Sequence, residues 1–469
     1  MSKQEIRNSP DSVEISDGWS SARSTATSNS TPSPLYRGYA LFLLVVVYTF
    51  NFIDRQIVGI LAVPIKRELA LSDTELSLMG GLAFALFYTF LGIPIALFAD
   101  RSSRIWIMTA ALAVWSAMTA LCGFAQSFLH LFLARLGVGV GEAGGVAPAY
   151  SLISDYFPPH ERARALSIYS FGIPIGSALG ILLGGVLTSY LGWREAFFIV
   201  GGAGILLAPV FRLTMREPKR GAFDREAVTT APARIPDVVR KLASKSSFWG
   251  LSLGAACASM VGYGLIFWLP SFFVRSFGHE LPQFFSWLPA AIVPSDPSPV
   301  LYASYFYATI LLAGGLLGIW LGGLLADKYG PERKAAYALV PGFAFIATVP
   351  FFLVGILSNS LAVAFPAFLG LQALSLVWLG PVIAALQHLV PANMRTTASA
   401  VFLFVNNLIG IGLGNLVIGL VSDALEAQFA DEALRYALMV SAVGYVFAAG
   451  LFIFISRRLA SDWEIGGAS

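Results

Sequence analysis

Four charged residues lie deep inside long apolar runs, where charges are rare. Asp54 and Arg55 are adjacent in "NFIDRQIVGIL", while Arg135 and Glu142 lie seven residues apart in "RLGVGVGEAGG". A charge at the centre of a membrane helix costs about 2.5–3.5 kcal/mol on insertion scales, so a functional role is the default interpretation. Carboxylates and guanidinium groups placed there could carry protons or hold an anion. The alternative is a structural ion pair that joins two helices.

The spacing limits which of these side chains can act together. At a rise of about 1.5 Å per residue, Arg135 and Glu142 are about 10 Å apart on one face of a helix. Arg55 points about 100° away from Asp54, so the two cannot face a central cavity equally. A carboxylate beside an arginine has a lowered pKa, and one that loses this partner in an apolar cavity has a raised pKa. A change of partner between two conformations would therefore couple proton binding to conformation.

Composition places the elements that carry these charges in a membrane. The chain has 469 residues, 57% hydrophobic and 12% charged, whereas soluble domains carry about 25% charged residues. Twelve apolar runs reach the length of about 20 residues that a bilayer-spanning helix needs. Backbone groups in lipid must pair within their own segment, so we predict an all-α membrane protein with twelve transmembrane helices. The net charge of +3 does not indicate nucleic-acid binding, because the basic residues are spread over short loops.

Basic residues concentrate on one side of the predicted bundle. That side holds Arg101, Arg104, Arg162, Arg164, Lys328, Arg333, Lys334, Arg395, Arg457, Arg458 and the segment from Arg212 to Lys245. The opposite side holds Lys66, Arg67, Arg194, Arg275 and Arg435. Because cytoplasmic loops carry an excess of Lys and Arg, we expect both termini in the cytoplasm and the protein in the cell inner membrane.

The chain divides into two halves that look related. "ALFADRSSR" and "GLLADKYGPERK" place Asp100 and Asp327 227 residues apart, and Arg162 and Arg395 lie 233 apart at the start of two further runs. Such repeats usually enclose a substrate site near the midplane of the membrane. The predicted segments are a disordered cytoplasmic tail 1–34, a six-helix half 35–213, a cytoplasmic linker 214–246, a second six-helix half 247–458 with a long outer connector 278–299, and a cytoplasmic tail 459–469.

These motifs resemble those of the major facilitator superfamily over nearly all of residues 35–458. The superfamily's signature G-x-x-x-D-R-x-G-R is seen as "ALFADRSSR", with Ala96 and Ser103 in place of glycines. "RLGVGVGEA" is similar to its fourth-span signature R-x-x-x-G-x-G. Within the superfamily, "NFIDRQIVGIL" together with Arg135 and Glu142 resembles the Spinster-like lysolipid and sphingolipid transporters.

The resemblance implies a proton-coupled secondary transporter of amphiphilic lipids, with spans one, four, seven and ten around its cavity. The resemblance implies that Asp54 and Glu142 carry protons and that Arg135 and Arg55 belong to the same charged group. Substrate contacts are expected from Arg135, Glu142, Tyr263, Phe267, Trp268, Gln372, Trp378 and Asn406, although ordinary packing is the commoner role of such aromatics. A cytoplasmic gate is expected from Asp100, Arg101, Arg104, Asp155, Asp327 and Arg395, with a solvated end charge as the alternative for Asp155.

Other functions are weighed against this one. The G-x-G-x-x-G match at Gly139–Gly144 lacks a preceding strand, so we interpret these glycines as sites of close helix contact and not as a nucleotide loop. We expect no cofactor, no metal site and no enzymatic activity, and we expect a monomer. A proton-coupled drug or organic-anion carrier remains the main alternative; an uncoupled lipid-binding or scrambling protein would not need buried carboxylates. The connector 278–299 could be a plain surface loop or a lid near a lipid exit.

Overall fold

The computed structural model describes residues 33–99, 102–220, 235–289, 293, 298–391 and 394–463. These residues form helices joined by turns, and the part of the chain so described contains no strand. Nearly all of the predicted tail 1–34 lies outside the described residues. Asp100, Arg101 and part of the connector 278–299 also lie outside them.

The helices of the first half follow in this order: α1 Pro34–Leu69, α2 Asp73–Ser77, a π-helical turn Leu78–Leu82, α3 Ala83–Ala99, α4 Arg104–Cys122, α5 Phe128–Glu142, α6 Val146–Tyr156, α7 Pro159–Ser170, α8 Gly172–Tyr190 and α9 Trp193–Thr214. The linker contains α10 Ile235–Ala243. The second half contains α11 Ser246–Phe277, α12 Leu281–Phe284, α13 Pro299–Tyr329, α14 Ala336–Leu357, α15 Leu361–Leu376, α16 Leu379–Gln387, α17 Arg395–Phe429, α18 Ala433–Ser441 and α19 Val443–Asp462.

Serine side chains begin several of these helices. Ser33, Ser72, Ser103 and Ser127 each accept a hydrogen bond from a backbone N–H of the first turn, at 3.1–3.4 Å. Each bond satisfies a donor that has no partner within its helix. At Ser72 the Glu75 side chain also accepts from the cap N–H at 2.9 Å, which completes a capping box. The starts of α1, α2, α4 and α5 are therefore encoded locally.

Eleven helical stretches are long and apolar enough to cross a membrane. The fourth predicted span is not among them, because a turn at residues 143–145 divides it into α5 of 15 residues and α6 of 11. A similar break separates α15 from α16 at Val377 and Trp378. Counting α5 and α6 together, the described residues form twelve membrane-crossing elements in two halves, which confirms the predicted fold class.

With twelve crossings, the start of α1 and the end of α19 lie on the same side of the bundle. We call this the terminal side and the opposite one the distal side. Within the described residues, polar contacts join the two halves at the distal side. Asp73, only 2% exposed, accepts from both Nη atoms of Arg275 at 2.9 and 2.7 Å and from Ser422 Oγ at 2.8 Å. Lys66 Nζ also donates to Asp73, at 2.8 Å, from the end of α1.

A second carboxylate reinforces this closure from the other half. Asp423 of α17 accepts from the backbone N–H groups of Asp73 and Thr74 at 2.9 and 2.7 Å. It therefore caps α2, whose first-turn donors have no partner inside that helix. The distal side is held shut by hydrogen bonds and charge pairs that must break if the halves separate there.

Phe267 of α11 fills a notch in the first half just beneath these polar contacts. The notch is formed by Gly59 of α1 and Gly80 of the π-helical turn. A Cβ at Gly59 would lie 3.0 Å from the Phe267 carbonyl oxygen, and one at Gly80 would overlap the Phe267 ring. The neighbouring indole of Trp268 donates to the Asn415 carbonyl at 3.2 Å, which anchors α11 to α17. Both aromatic residues thus lie at the distal closure.

Adding a methyl group at Gly80 should open the distal side. In Gly80→Ala the Phe267 ring must leave its notch, and overpacking of this kind typically costs about 1–3 kcal/mol. We expect the distal-open population to rise about tenfold, seen as longer distances between spin labels at Arg67→Cys and His279→Cys, both exposed on the distal side. Gly92→Ala is the matched control, because a Cβ there meets nothing within 4 Å. Identical distance distributions for both variants would contradict the prediction.

Candidate functional site

The four deep charges of α1 and α5 meet through their side chains. Arg55 Nε donates to Glu142 Oε2 at 2.7 Å, so the direct cationic partner of Glu142 is Arg55. The sequence alone predicts that Glu142 acts with Arg135, which lies on the same helix. Glu142 is fully buried, whereas the Arg55 side chain is 12% exposed. Arg55 is therefore the member of the ion pair that reaches accessible space.

Asp54 and Arg135 form the more deeply buried part of the group. Arg135 Nη1 donates to the backbone oxygen of Asp54 at 3.4 Å, and the two residues are 1% and 2% exposed. The Asp54 carboxylate instead accepts from Thr119 Oγ1 of α4, at 2.6 Å. The structure thus brings all four predicted charges together and adds a threonine that the sequence analysis did not name.

Aromatic rings surround the Arg55 guanidinium. Its central carbon lies 5.1, 4.8 and 4.6 Å from the ring centroids of Phe52, Phe84 and Tyr88. Cations over aromatic faces at this distance are stabilised electrostatically, most strongly where water is excluded. Arg55 Nη2 and Glu142 Oε1 are buried without a partner in hydrogen-bond geometry. Each offers an unused bonding position inside the group.

Glycines of α5 allow this helix to lie close to α3 and α4. A Cβ atom at Gly139 would lie 2.7 Å from the carbonyl oxygen of Phe84 in α3. A Cβ atom at Gly141 would lie 2.6 Å from the backbone nitrogen of Trp115 in α4. The G-x-G-x-x-G match is therefore a surface for helix contact, as the sequence analysis inferred. The α5 helix ends at Glu142, so its carbonyl-rich end faces the Arg55 cation, which the helix dipole also favours.

The predicted substrate residues of the second half occupy four places. Asn406 Oδ1 accepts from Ser259 Oγ at 2.9 Å, and a Cβ at Gly410 would lie 3.4 Å from the Tyr263 ring, so these residues line the contact of α11 with α17. Gln372 packs its side chain against Gly314 of α13. Trp378 lies at the break before α16, and its ring centroid is 6.5 Å from that of Phe402. Phe267 and Trp268 lie at the distal closure described above.

Arg104 joins three elements on the terminal side. It is 1% exposed and pairs with Asp155 at the end of α6 and with Glu217 beyond α9, with 2.7 Å between Arg104 Nε and Glu217 Oε1. Glu217 also accepts from Ser103 Oγ at 2.8 Å and from the Ile105 N–H at 3.1 Å. Partial burial alone would raise the pKa of Glu217, but these hydrogen bonds outweigh it and hold the pKa below the ordinary glutamate value.

The structure describes the other predicted gating residues only in part. Asp327 is exposed near the end of α13, and Arg395 begins α17 with a side chain outside the described part. Asp100 and Arg101 lie outside the described residues altogether. Glu217 was missed, although the sequence signals it as a lone acid among basic residues in "MREPKR", directly after the sixth apolar run.

The described residues of the second half form an aromatic cluster at the terminal side. His388, at the end of α16, stacks on Trp463 with 4.5 Å between ring centroids. Tyr337 stacks on Trp463 at 5.4 Å, and Lys334 Nζ lies 5.0 Å from the same ring. The terminal ends of α14, α16 and α19 are therefore joined by stacking, whereas charge pairs join those of α4, α6 and α9.

The arrangement described above can be compared with known proteins. The Major Facilitator Superfamily profile matches residues 44–415. The chain belongs to the major facilitator superfamily. An MFS-type efflux pump of Mycolicibacterium smegmatis is 33% identical over 407 residues, covering 86% of this chain and 88% of that protein. Protein spinster homolog 1 of Homo sapiens is 30% identical over 448 residues, covering 90% of this chain and 82% of that protein.

Solved structures place the chain more narrowly within the superfamily. A bacterial homolog of the human lysosomal transporter Spinster, in an inward-facing and unoccupied conformation, matches with a TM-score of 0.82 and 33% identity, covering 93% of this chain and all of that one. The inward-facing and occupied form of such a homolog matches with a TM-score of 0.78. This chain is a Spinster-like transporter of the superfamily.

Proposed function

We propose that this Spinster-like transporter is proton-coupled and moves amphiphilic lipids, of the lysophospholipid or sphingolipid kind, by alternating access. The observation that carries the proposal is the buried group formed by Asp54, Arg55, Arg135 and Glu142. Two carboxylates and two guanidinium groups are costly within a membrane, and a simple brace between two helices would need one pair. The second carboxylate supplies a site where a proton can be taken up and released.

The geometry supports proton coupling through a change of partner. With the distal side closed, Glu142 is held by Arg55 from the neighbouring α1, while its Oε1 remains without a partner. Movement of α1 against α5 would separate the pair. A carboxylate that loses its cation in an apolar site favours the protonated form. Proton binding and the conformational change would then depend on each other, which is the requirement for gradient-driven transport.

The geometry also supports an anionic or zwitterionic headgroup with an apolar tail. Arg55 is the partly accessible cation of the group, and its planar guanidinium is suited to a phosphate or carboxylate. We therefore assign the headgroup contact to Arg55 in addition to the expected Arg135. Tyr263 and Asn406 offer an aromatic ring and an amide from the opposite half. A cavity wall that carries this aromatic ring and amide suits an amphiphile better than a sugar.

An apolar cavity of about 1010 Å³ between α8 and α13 offers room for an acyl chain. Residues of the outer helix α12 and those that follow it line the cavity, which favours a lid role for this part of the connector 278–299. Its lining includes Leu179, Leu182, Phe284, Phe285, Trp287 and Phe306. Because the distal side is closed, we place the opening on the terminal side, which the basic residues assign to the cytoplasm. We also propose that the protein is a monomer located in the inner membrane.

A drug or organic-anion carrier remains the second candidate. The observation that favours it is the 33% identity to an MFS-type efflux pump over 86% of this chain. The same cation and apolar walls would accept an amphiphilic drug with an anionic group. The two candidates differ only in substrate and share the proton-coupling residues.

Reconstituted vesicles should take up a fluorescent lysophospholipid faster with a pH gradient than without one. Asp54→Asn should reduce gradient-driven uptake to the level of protein-free vesicles, because the amide cannot carry a proton. Glu432→Gln is the control, because Glu432 pairs with Arg435 three residues away and is 46% exposed. Uptake that is equal with and without the gradient would contradict coupling. Gradient-driven uptake of an anionic dye with none of the lipid would favour the second candidate.

A further inference from the structure

Thr119 makes an unusual hydrogen bond for a threonine inside a membrane helix. Its Oγ1 donates to Asp54 Oδ1 at 2.6 Å, from α4 to α1, and the residue is fully buried. A threonine within a helix commonly donates to a carbonyl one turn earlier in the same helix. Thr109, also in α4, does this to the Ile105 carbonyl at 2.8 Å. The Thr119 hydroxyl is turned to the carboxylate instead.

The surroundings of Asp54 leave this hydroxyl as the donor to its carboxylate among the described residues. Arg135 of α5 reaches the Asp54 backbone oxygen, at 3.4 Å, and Arg55 of α1 bonds to Glu142 of α5. Cys122, one turn beyond Thr119 on α4, is a buried thiol. These are the charged and titratable groups that α1, α4 and α5 present around Asp54.

A hydroxyl suits both protonation states of a proton carrier. An ionised carboxylate only accepts hydrogen bonds, whereas a protonated one can also donate, and a hydroxyl can do either. Thr119 can donate to the Asp54 anion, since its Oγ1 lies 2.6 Å from Asp54 Oδ1. When Asp54 is protonated, the acid can donate to Thr119 Oγ1, whose own hydrogen is then free to turn to the carbonyl one turn earlier in α4. No group needs to move by more than a bond rotation.

We propose that Thr119 is a positioning residue for Asp54: it holds the carboxylate in place and sets the pH range over which this site exchanges its proton. The inference rests on the proposed proton coupling, which it extends to the third membrane span, α4. That span is not one of those that the family resemblance places around the cavity. The geometry therefore adds a component to the site that motif comparison did not indicate.

The test is a pH profile of lipid uptake for Thr119→Val, which replaces the hydroxyl by a methyl of similar size. The anion loses its donor, so we expect the half-maximal pH to move upward by about one unit, as for a lost hydrogen bond to a charged group. Thr119→Ser should restore the wild-type profile. Thr109→Val, the same change elsewhere in α4, should leave it unmoved. If the valine variant does not fold, Thr119→Ala must show the same shift.

A second readout separates this proposal from the proposed function. Difference infrared spectroscopy follows protonation of the Asp54 carboxyl in purified protein without transport, and Asp54→Asn identifies its band. We expect the titration of that band to shift in Thr119→Val and not in Thr109→Val. A shifted band in a protein whose uptake ignores the pH gradient would support the role of Thr119 while rejecting proton-coupled transport. An unshifted band in Thr119→Val, or an equal shift in Thr109→Val, would overturn the proposal.

Discussion

Replacing Glu142 by glutamine should abolish gradient-driven transport and weaken the fold. The change removes the carboxylate that lies against Arg55 at 2.7 Å and leaves a guanidinium without an anionic partner inside the bundle. Breaking a buried ion pair on one side typically costs about 3–5 kcal/mol, because the remaining charge is uncompensated. We expect a lower unfolding temperature in detergent and lipid uptake at the level of protein-free vesicles.

A double variant separates the structural role of this pair from its functional role. Arg55→Leu with Glu142→Leu removes both charges, and apolar replacement of a complete buried pair is often neutral for stability. We expect the double variant to regain most of the lost thermal stability and none of the transport. The control is the pair of Glu432 and Arg435, which lie three residues apart and outside the buried charge group, with the Glu432 side chain 46% exposed. Wild-type uptake by the double leucine variant would reduce the pair to a helix brace.

Replacing Asp73 by asparagine should open the distal side of the protein. Asp73 accepts from Arg275, Lys66 and Ser422, so its neutralisation leaves two cations facing each other across the closure. The loss falls on the distal-closed conformation, in which these groups meet. We expect the distal-open conformation to become the major one, since a few kcal/mol is enough to reverse a two-state equilibrium of this kind.

The spin-label pair at Arg67→Cys and His279→Cys measures this opening, in a background without Cys122 and Cys257. Glu68→Gln is the matched control at the same side. Its carboxylate accepts from Trp193 Nε1 at 2.6 Å and pairs with Arg194, and all three residues belong to the first half. Its loss should leave the distance between the halves unchanged. Equal opening in both variants would show that any lost distal carboxylate loosens the bundle, and the specific role of Asp73 would be withdrawn.

Several features of the candidate site could be anticipated from residue types alone. Asp54, Arg55, Arg135 and Glu142 are recognisable because a charge in an apolar run is costly and therefore rare. The seven-residue spacing placed Arg135 and Glu142 on one face of α5. It could not show that Arg55 is the partner of Glu142, because the position of α5 beside α1 depends on its packing against other helices, such as the contact of Gly139 with Phe84 of α3.

Phe267 and Thr119 also have contacts that the sequence alone does not reveal. The sequence pattern offered Phe267 as a substrate contact, and the structure places it at the distal closure against Gly59 and Gly80. Thr119 gave no signal, because a threonine in an apolar helix satisfies its hydroxyl on its own backbone by default. Only the position of α4 beside α1 in the folded bundle brings this hydroxyl to Asp54.

The sequence by itself determined the membrane class, the twelve crossings, the division into two halves and the four charges that make a transport site plausible. Those features depend on local quantities: the length of apolar runs, the cost of a charge in lipid and the periodicity of a helix. The tertiary structure alone decided which charges pair, which aromatic residue closes the distal side, and that Glu217 joins Arg104 and Asp155 at the terminal side. These contacts form between helices distant in sequence, and the relative rotation and depth of two packed helices follow from the side chains of both.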